Sequence, residues 1–345
     1  MADSRKQYDA NMTSSGAALD AAPPEEGKKS STVTVVLALA ANLAIAVAKT
    51  VASLLTGSAS MTAEAAHSWA DAGNEVFLVV ADKRSRKPRD KNHPLGYGRE
   101  AYVWSMFAAF GLFTAGAVVS IMHGIQGLIA PEPAQDFLIA YIVLGIAFVL
   151  EGVSFTQALR EARSTAARYR RHTLDFVVRG SNPTLRAVFA EDAAALVGLL
   201  IAVAGIAAHQ LTGSPVPDAI GSILVGLLLG VIAVVLIEQN RRFLVGQKPD
   251  DEIEQLAVEE LLTHPEIERV TYLHLEFIGP GKLFLVAAVD MTGNQPEDEV
   301  AVALRRVEKE IEEKHLIEEA VLTLSTPDQP TLGSRSGAKS GSSRG

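Results

Sequence analysis

The chain has 345 residues, 48 % of them hydrophobic, a net charge of −9 and no cysteine. The missing cysteines exclude disulfides and thiolate metal sites. A soluble protein can also reach its mean hydropathy of +0.20, so the class is decided by arrangement: apolar stretches recur at the ~20 residues needed to cross roughly 30 Å of hydrocarbon.

Residues 1–31 are polar, show no apolar period and read as a disordered tail. Asp3, Asp9, Asp20, Glu25 and Glu26 argue against a transit peptide, which would be poor in acids. The first apolar stretch, 33–55, follows this tail without a small-residue cleavage site, so a retained span is expected and not a signal peptide. The second, 59–81, contains "AEAAHSWADAGNE", with Glu64, His67, Asp71 and Glu75 among small and apolar residues. Each such group costs roughly 2.5–3.5 kcal/mol at bilayer depth. At about 100° per residue the four fall within roughly 80° and form one polar stripe. His67 and Asp71, at i and i+4, can meet over one turn. An imidazole nitrogen and a carboxylate oxygen so placed can share a cation, and zinc accepts both at about 2.0–2.2 Å with a preference for four ligands. The competing reading is helix-to-helix glue, with His67 bonded to Asp71 and the glutamates paired to Lys49 of the first span. Ionisable groups within a membrane usually line an ion or proton path.

The third and fourth stretches, 102–128 and 137–158, carry His123 and Glu151. The fifth, 186–209, is introduced by "NPTLRAVFAEDAAALVG". Pro183 suits a helix start, Arg186 is expected to snorkel to the surface, and Glu191 and Asp192 fall about one to two turns inside the membrane. Adjacent side chains diverge by about 100°, so only one of the two acids easily faces the second span. Pairing with Arg186 is the alternative. The sixth stretch, 216–238, holds Asp218 near its start and a G-x-x-x-G at Gly226 and Gly230, a pattern of close helix packing. Glu64, Glu75 and Glu151 are candidates for a proton relay; His123 and Asp218 read better as contacts within the bundle. The loop "KRSRKPRDKNHPLGYGRE" carries seven Lys or Arg and residues 159–185 carry six Arg, whereas "TGSAS", "APEPAQD" and "HQLTGSPVPD" carry none. By the positive-inside rule both termini are cytoplasmic.

Beyond residue 247 the apolar runs shorten. "DDEIEQLAVEELL" has a helical period, with Ile253, Leu256, Ala257 and Leu261 on one face. "RVTYLHLEFI" and "KLFLVAAVDM" read as strands joined by "GPG", "EDEVAVALRRVEKEIEEK" as a second amphipathic helix, and "AVLTLS" as a last strand. The expected product is a small α+β, ferredoxin-like cytoplasmic domain over 248–327, after a transport domain over 32–247 and before a disordered tail over 328–345. Residues 250–319 hold 19 acidic and 6 basic side chains, so the rest of the chain is net basic.

The six spans, His67-x-x-x-Asp71, an acid in the fifth span, "HPLGYGRE" and the α+β domain together resemble the cation diffusion facilitator family, over about residues 32–326. The resemblance implies a homodimeric metal/proton antiporter that exports divalent cations. Its transport site is a His or Asp with an Asp four residues on in the second span, and the same pair in the fifth. His67 and Asp71 match the first pair, in the form usual for zinc members. Asp192, six residues before Gly198, matches the second acid. The position before it is Val188, which cannot bind metal; Glu191 is the substitute. The fifth-span stretch looks most like the branch that contains the mitochondrial zinc exporter of animals. Asp90 and His93 match two positions of a family loop site whose third position is Tyr97 here. Thr271, Ala288 and Leu324 stand where some members bind metal in the cytoplasmic domain, and His264, His274 and His315 fall off that pattern, so no binuclear site is expected there. The expected transporter works in the cytoplasmic membrane and is not an enzyme. It uses no cofactor: Zn²⁺ is cargo, exchanged for protons, and the partners are the bilayer and a second copy, with no nucleic acid. The alternatives are Mn²⁺, Fe²⁺, Co²⁺ or Cd²⁺ at the same site, and a non-transporting membrane scaffold or regulator.

Overall fold

The computed structural model describes residues 32–130, 136–168 and 172–334; the tail expected over 1–31, and the part beyond Ser334 of the tail expected over 328–345, lie outside them. The chain divides into two units: one holds the described residues up to Pro88 together with Arg99–Leu244, the other Arg89–Gly98 and the described residues from Val245 onward.

The first unit is a helical bundle. Its elements are α1 Thr32–Thr56, α2 Ala59–Ser85, α3 Glu100–Ile129, α4 Phe137–Arg168, a short α5 Thr173–Arg179, α6 Pro183–Thr212 and α7 Val216–Leu244. Among the described residues, α1, α3, α4, α6 and α7 are long and apolar enough to cross a membrane. The sixth expected span, α2, has 27 residues, about 40 Å at 1.5 Å each; it is set apart by its polar stripe. That stripe is tolerated because α2 packs against α1, α3, α6 and α7. Glu64, His67, Ser68, Asp71 and Asn74 are all buried, whereas Leu138, Ile142, Val149 and Val153 of α4 and Val231 and Val234 of α7 are exposed. Branched apolar residues outside and small or polar ones between helices are the pattern that hydrocarbon favours, because lipid competes for apolar surface but offers no hydrogen bonds.

Helix ends follow from local chemistry. Ser58 caps α2 by accepting from Met61 N at 3.2 Å. Asp218 of α7 adds a second cap, accepting from Ala59 N at 2.8 Å and Ser60 N at 3.3 Å. A carboxylate there satisfies orphan N–H groups and complements the helix dipole, so Asp218 is a bundle contact, as its sequence position suited. Asn182 caps α6 by accepting from Leu185 N at 3.0 Å, with Pro183 in the first turn and Gly213 closing the helix at φ +67°. In the G-x-x-x-G of α7 Gly226 packs tightly, whereas a Cβ on Gly230 would meet only Ala117 Cβ at 3.9 Å. A Cβ on Gly226 would lie 2.7 Å from Ile121 Cγ1 and 2.9 Å from Ala117 O of α3.

The second unit contains α8 Asp251–Thr263, β1 Ile267–Gly279, β2 Lys282–Met291, α9 Glu297–Glu312, β3 Ile317–Leu324 and β4 Gly333–Ser334. The sheet order is β3-β2-β1-β4. β1 and β2 form an antiparallel hairpin, turned at Gly281 with φ +63°. β2 and β3 are parallel, so α9 serves as the crossover that a parallel pair needs. Leu283, Leu285, Ala287 and Val289 alternate along β2 and join Leu261, Val307 and Ile311 of the helices in one core. Arg89–Gly98 packs on this unit. Arg89 Nη1 donates to Glu319 Oε2 at 2.9 Å, and a Cβ on Gly98 would lie 2.8 Å from Gly279 Cα.

Three expectations are corrected. Arg186 does not snorkel. It is 2 % exposed and donates to Gly180 O at 2.8 Å and Asn240 Oδ1 at 2.9 Å, partners that the helix ends provide inside the bundle. His123 is exposed on the outer face of α3, not held in the bundle. The stretch from residue 328 is not all tail, because Gly333 and Ser334 pair with Val270 and Arg269 and add a short strand.

Candidate functional site

Several ionisable side chains of the membrane unit gather around the buried face of α2. Lys49 of α1 places Nζ 2.9 Å from Glu64 Oε2, with both side chains fully buried. The glue reading therefore holds for Glu64. One turn on, His67 Nε2 lies 3.0 Å from Asp71 Oδ2. Both ring nitrogens and Asp71 Oδ1 are buried without a hydrogen-bond partner. Ser68 Oγ and Glu64 Oε1 share that condition. Such buried groups cost about 1–3 kcal/mol each, and here they cluster on one helix face. Glu75, half-buried, accepts from Asn42 of α1 at 2.5 Å.

The fifth-span acids divide between two partners. Asn74 of α2 donates to Glu191 Oε2 at 2.5 Å, and the Glu191 carboxyl faces the charge of Asp71. Asp192 instead accepts from Ser154 of α4 at 2.8 Å. Neither acid pairs with Arg186, whose guanidinium is bonded elsewhere. Glu151 of α4 faces the charges of Lys49, Asp71 and His67. Among the described residues no three His, Asp or Glu side chains are gathered in an arrangement that could hold a metal. His67 and Asp71 meet, Glu191 faces Asp71, and Asp192 is bonded to Ser154 of α4. Asn42, Asn74 and Ser154 were missed by the sequence reading, which counted only ionisable groups. The signal was available for Asn74: at i+3 from Asp71 it lies on the same stripe.

The loop positions do come together, as a turn. Asp90 Oδ2 accepts from Tyr97 OH at 2.7 Å, and Oδ1 accepts from Asn92 N at 2.9 Å and His93 N at 2.8 Å. These hydrogen bonds, that of Tyr97 foremost, pull the Asp90 carboxyl down to about 2. The His93 and Tyr97 rings lie 4.0 Å apart. In the second unit Thr271 donates to backbone and to Gln329, Ala288 is buried and Leu324 exposed. His264 pairs with Glu310 at 3.1 Å and His274 with Glu276 at 3.6 Å.

A sequence model of the cation efflux transmembrane domain matches residues 35–245. The chain belongs to the cation efflux family. It is thus a multi-pass membrane protein of a transporter family. Metal tolerance protein C4 of Arabidopsis thaliana is 37 % identical over 231 residues, 67 % of this chain and 50 % of that protein. The mitochondrial proton-coupled zinc antiporters SLC30A9 of Mus musculus and Homo sapiens are 34 % and 33 % identical over 245 residues, 71 % of this chain and 43 % of each of those proteins. This cation efflux chain therefore spans half or less of the length of these relatives.

Proposed function

We propose that the chain is a Zn²⁺/H⁺ antiporter that exports zinc from the cytoplasm. The observation that carries this reading is the buried His67–Asp71 pair with unpartnered nitrogens and oxygen, facing a second carboxylate from α6. The family match and the printed names of the SLC30A9 relatives support it. His67 would bind through a neutral ring nitrogen, Asp71, Glu191 and Asp192 as carboxylates, completing the four ligands that zinc prefers. Asp192 would turn from Ser154 to do so. An imidazole in the set favours zinc over Mn²⁺, which suits an all-oxygen site. Ligands must lose protons to bind zinc, so protons entering from the far side drive release. Glu75 and Glu151, half-buried beside the pair, are the relay candidates; Glu64 is tied to Lys49. The basic loops support a topology with both termini on the cytoplasmic face of the cell membrane, and the acidic C-terminal unit would mediate a homodimer.

The test is Zn²⁺ flux in proteoliposomes across a metal panel. Wild type should carry Zn²⁺ in exchange for protons, and Asp71→Ala should lose flux by more than about 100-fold, since it removes a charged ligand, while inserting normally. Equal flux by a well-folded Asp71→Ala protein sinks the reading. A protein that neither binds nor carries any metal is the scaffold alternative.

A further inference from the structure

We propose that Asn74 is the positioning residue of the metal site. Its carboxamide holds Glu191 on the α2 side of α6, and so makes Glu191, and not Asp192, the first fifth-span carboxylate to meet a cation on His67 and Asp71. This rests on the transport reading above and assigns the residue that sets its geometry.

Position alone leaves the choice between the two acids open, because both are carboxylates at the same depth and their side chains diverge by about 100°. The contacts decide it. Glu191 Oε2 is 2.5 Å from Asn74 Nδ2, and the carboxyl faces the charge of Asp71. Asp192 is turned to Ser154 on another helix. Two carboxylates from α2 and α6 placed together repel each other, more strongly out of water. Asn74 is 1 % exposed and brings a donor without a charge. It therefore offsets the repulsion while leaving Glu191 free to take a divalent ion. A lysine at this position would neutralise Glu191 and compete with the cation. An apolar residue would release the carboxylate from α2. Val188, one turn before Asp192, supplies no ligand, so a site lacking the Asn74–Glu191 contact keeps only three candidate donors, and zinc prefers four. Pre-set ligand geometry raises affinity by removing the cost of ordering on binding.

The experiment is a double-mutant cycle on the full chain in proteoliposomes: Asn74→Ala, Glu191→Gln and the pair, with Zn²⁺ and Mn²⁺ flux and equilibrium Zn²⁺ binding read in the same preparations. Asn74→Ala should raise the KM for Zn²⁺ roughly tenfold or more, the scale of a lost hydrogen bond to a charged group, with a smaller change in maximal rate. Asn74→Ala should add little to Glu191→Gln, because it acts through that carboxylate. Asn74→Asp, which keeps the shape, should weaken zinc further by setting a third carboxylate against Glu191 and Asp71. Asn74→Gln, which keeps the amide, should recover part of the loss. Additive effects of Asn74→Ala and Glu191→Gln, or wild-type zinc KM in Asn74→Asp, would overturn the proposal. If wild type binds zinc without carrying it, the transport reading alone fails and the cycle is scored on binding.

Discussion

At the scale of single residues, two contacts show what burial demands. Lys49 and Glu64 are a fully buried ion pair. Removing one partner of such a pair leaves an uncompensated charge and typically costs 3–5 kcal/mol, whereas removing both can be nearly neutral. Lys49→Met should therefore lower the thermal stability of the detergent-solubilised protein sharply. Adding Glu64→Gln should restore most of it; a double variant as unstable as the single one would mean that Lys49 packs more than it pairs. The second contact is the Asp90 turn. Its carboxyl is depressed to about 2 by Tyr97 and the Asn92 and His93 amides. A depressed acid contributes stability above its unfolded value near 3.9, and the contribution is lost as pH falls through the folded value. Protection of the 89–98 amides should hold at pH 5 and fade only between about pH 4 and 2, while Tyr97→Phe should move the Asp90 titration upward. The side chain is exposed, so this effect is local and salt-sensitive. The turn uses the carboxyl that a metal at Asp90 and His93 would need, so His93→Ala should leave zinc flux substantially intact.

At the scale of helices and strands, small residues set the distances that the site requires. α3 lies against α7 closely enough that a Cβ on Gly124 would fall 2.6 Å from Ala219 O and 2.6 Å from Ile223 Cγ1. Backbone cannot yield as a side-chain tip can, so Gly124→Ala should destabilise the bundle by about 1–3 kcal/mol, the usual range for overpacking, read as a lower melting temperature. An unchanged melt would show that α3 and α7 can separate freely. α7 also carries Asp218, which caps α2 through Ala59 N and Ser60 N. The start of α2, two turns before His67, is thus tied to α7. The hydropathy of the spans was legible from the sequence because each helix must satisfy its own backbone in lipid. The burial of Arg186 is not legible from the sequence because one of its two acceptors, Asn240, is 54 residues away and no local period announces it. The same distance effect hid β4, two residues long, which exists only by pairing with β1.

At the scale of the whole molecule, charge is divided between the units. The stretch 250–319 holds 19 acids against 6 bases. Two copies brought together through it would repel one another, so salt that screens beyond about 10 Å at 0.1 M should tighten the proposed homodimer. Mass measurement of the full chain in nanodiscs at low and raised salt reads this; a monomer at both would remove the dimer from the proposed function. In the proposed exchange metal and proton compete for the same ligands, so Zn²⁺ loading should weaken as the pH on the loading side falls, with protons released on binding. Flux indifferent to pH would argue for uniport in place of exchange.

The sequence by itself determined the class of molecule, the apolar spans, the α+β second unit and the pair on α2. Each rests on a short-range period: apolar runs of membrane length, strand alternation, or two ligands one turn apart on a single helix. Tertiary structure decided the rest of the site. Whether Glu191 or Asp192 meets Asp71 depends on the rotation of α6 against α2, and that rotation is set by partners on other helices, Asn74 and Ser154. Adjacent residues of one helix look alike to any periodic reading, and only the packing of a second helix tells them apart.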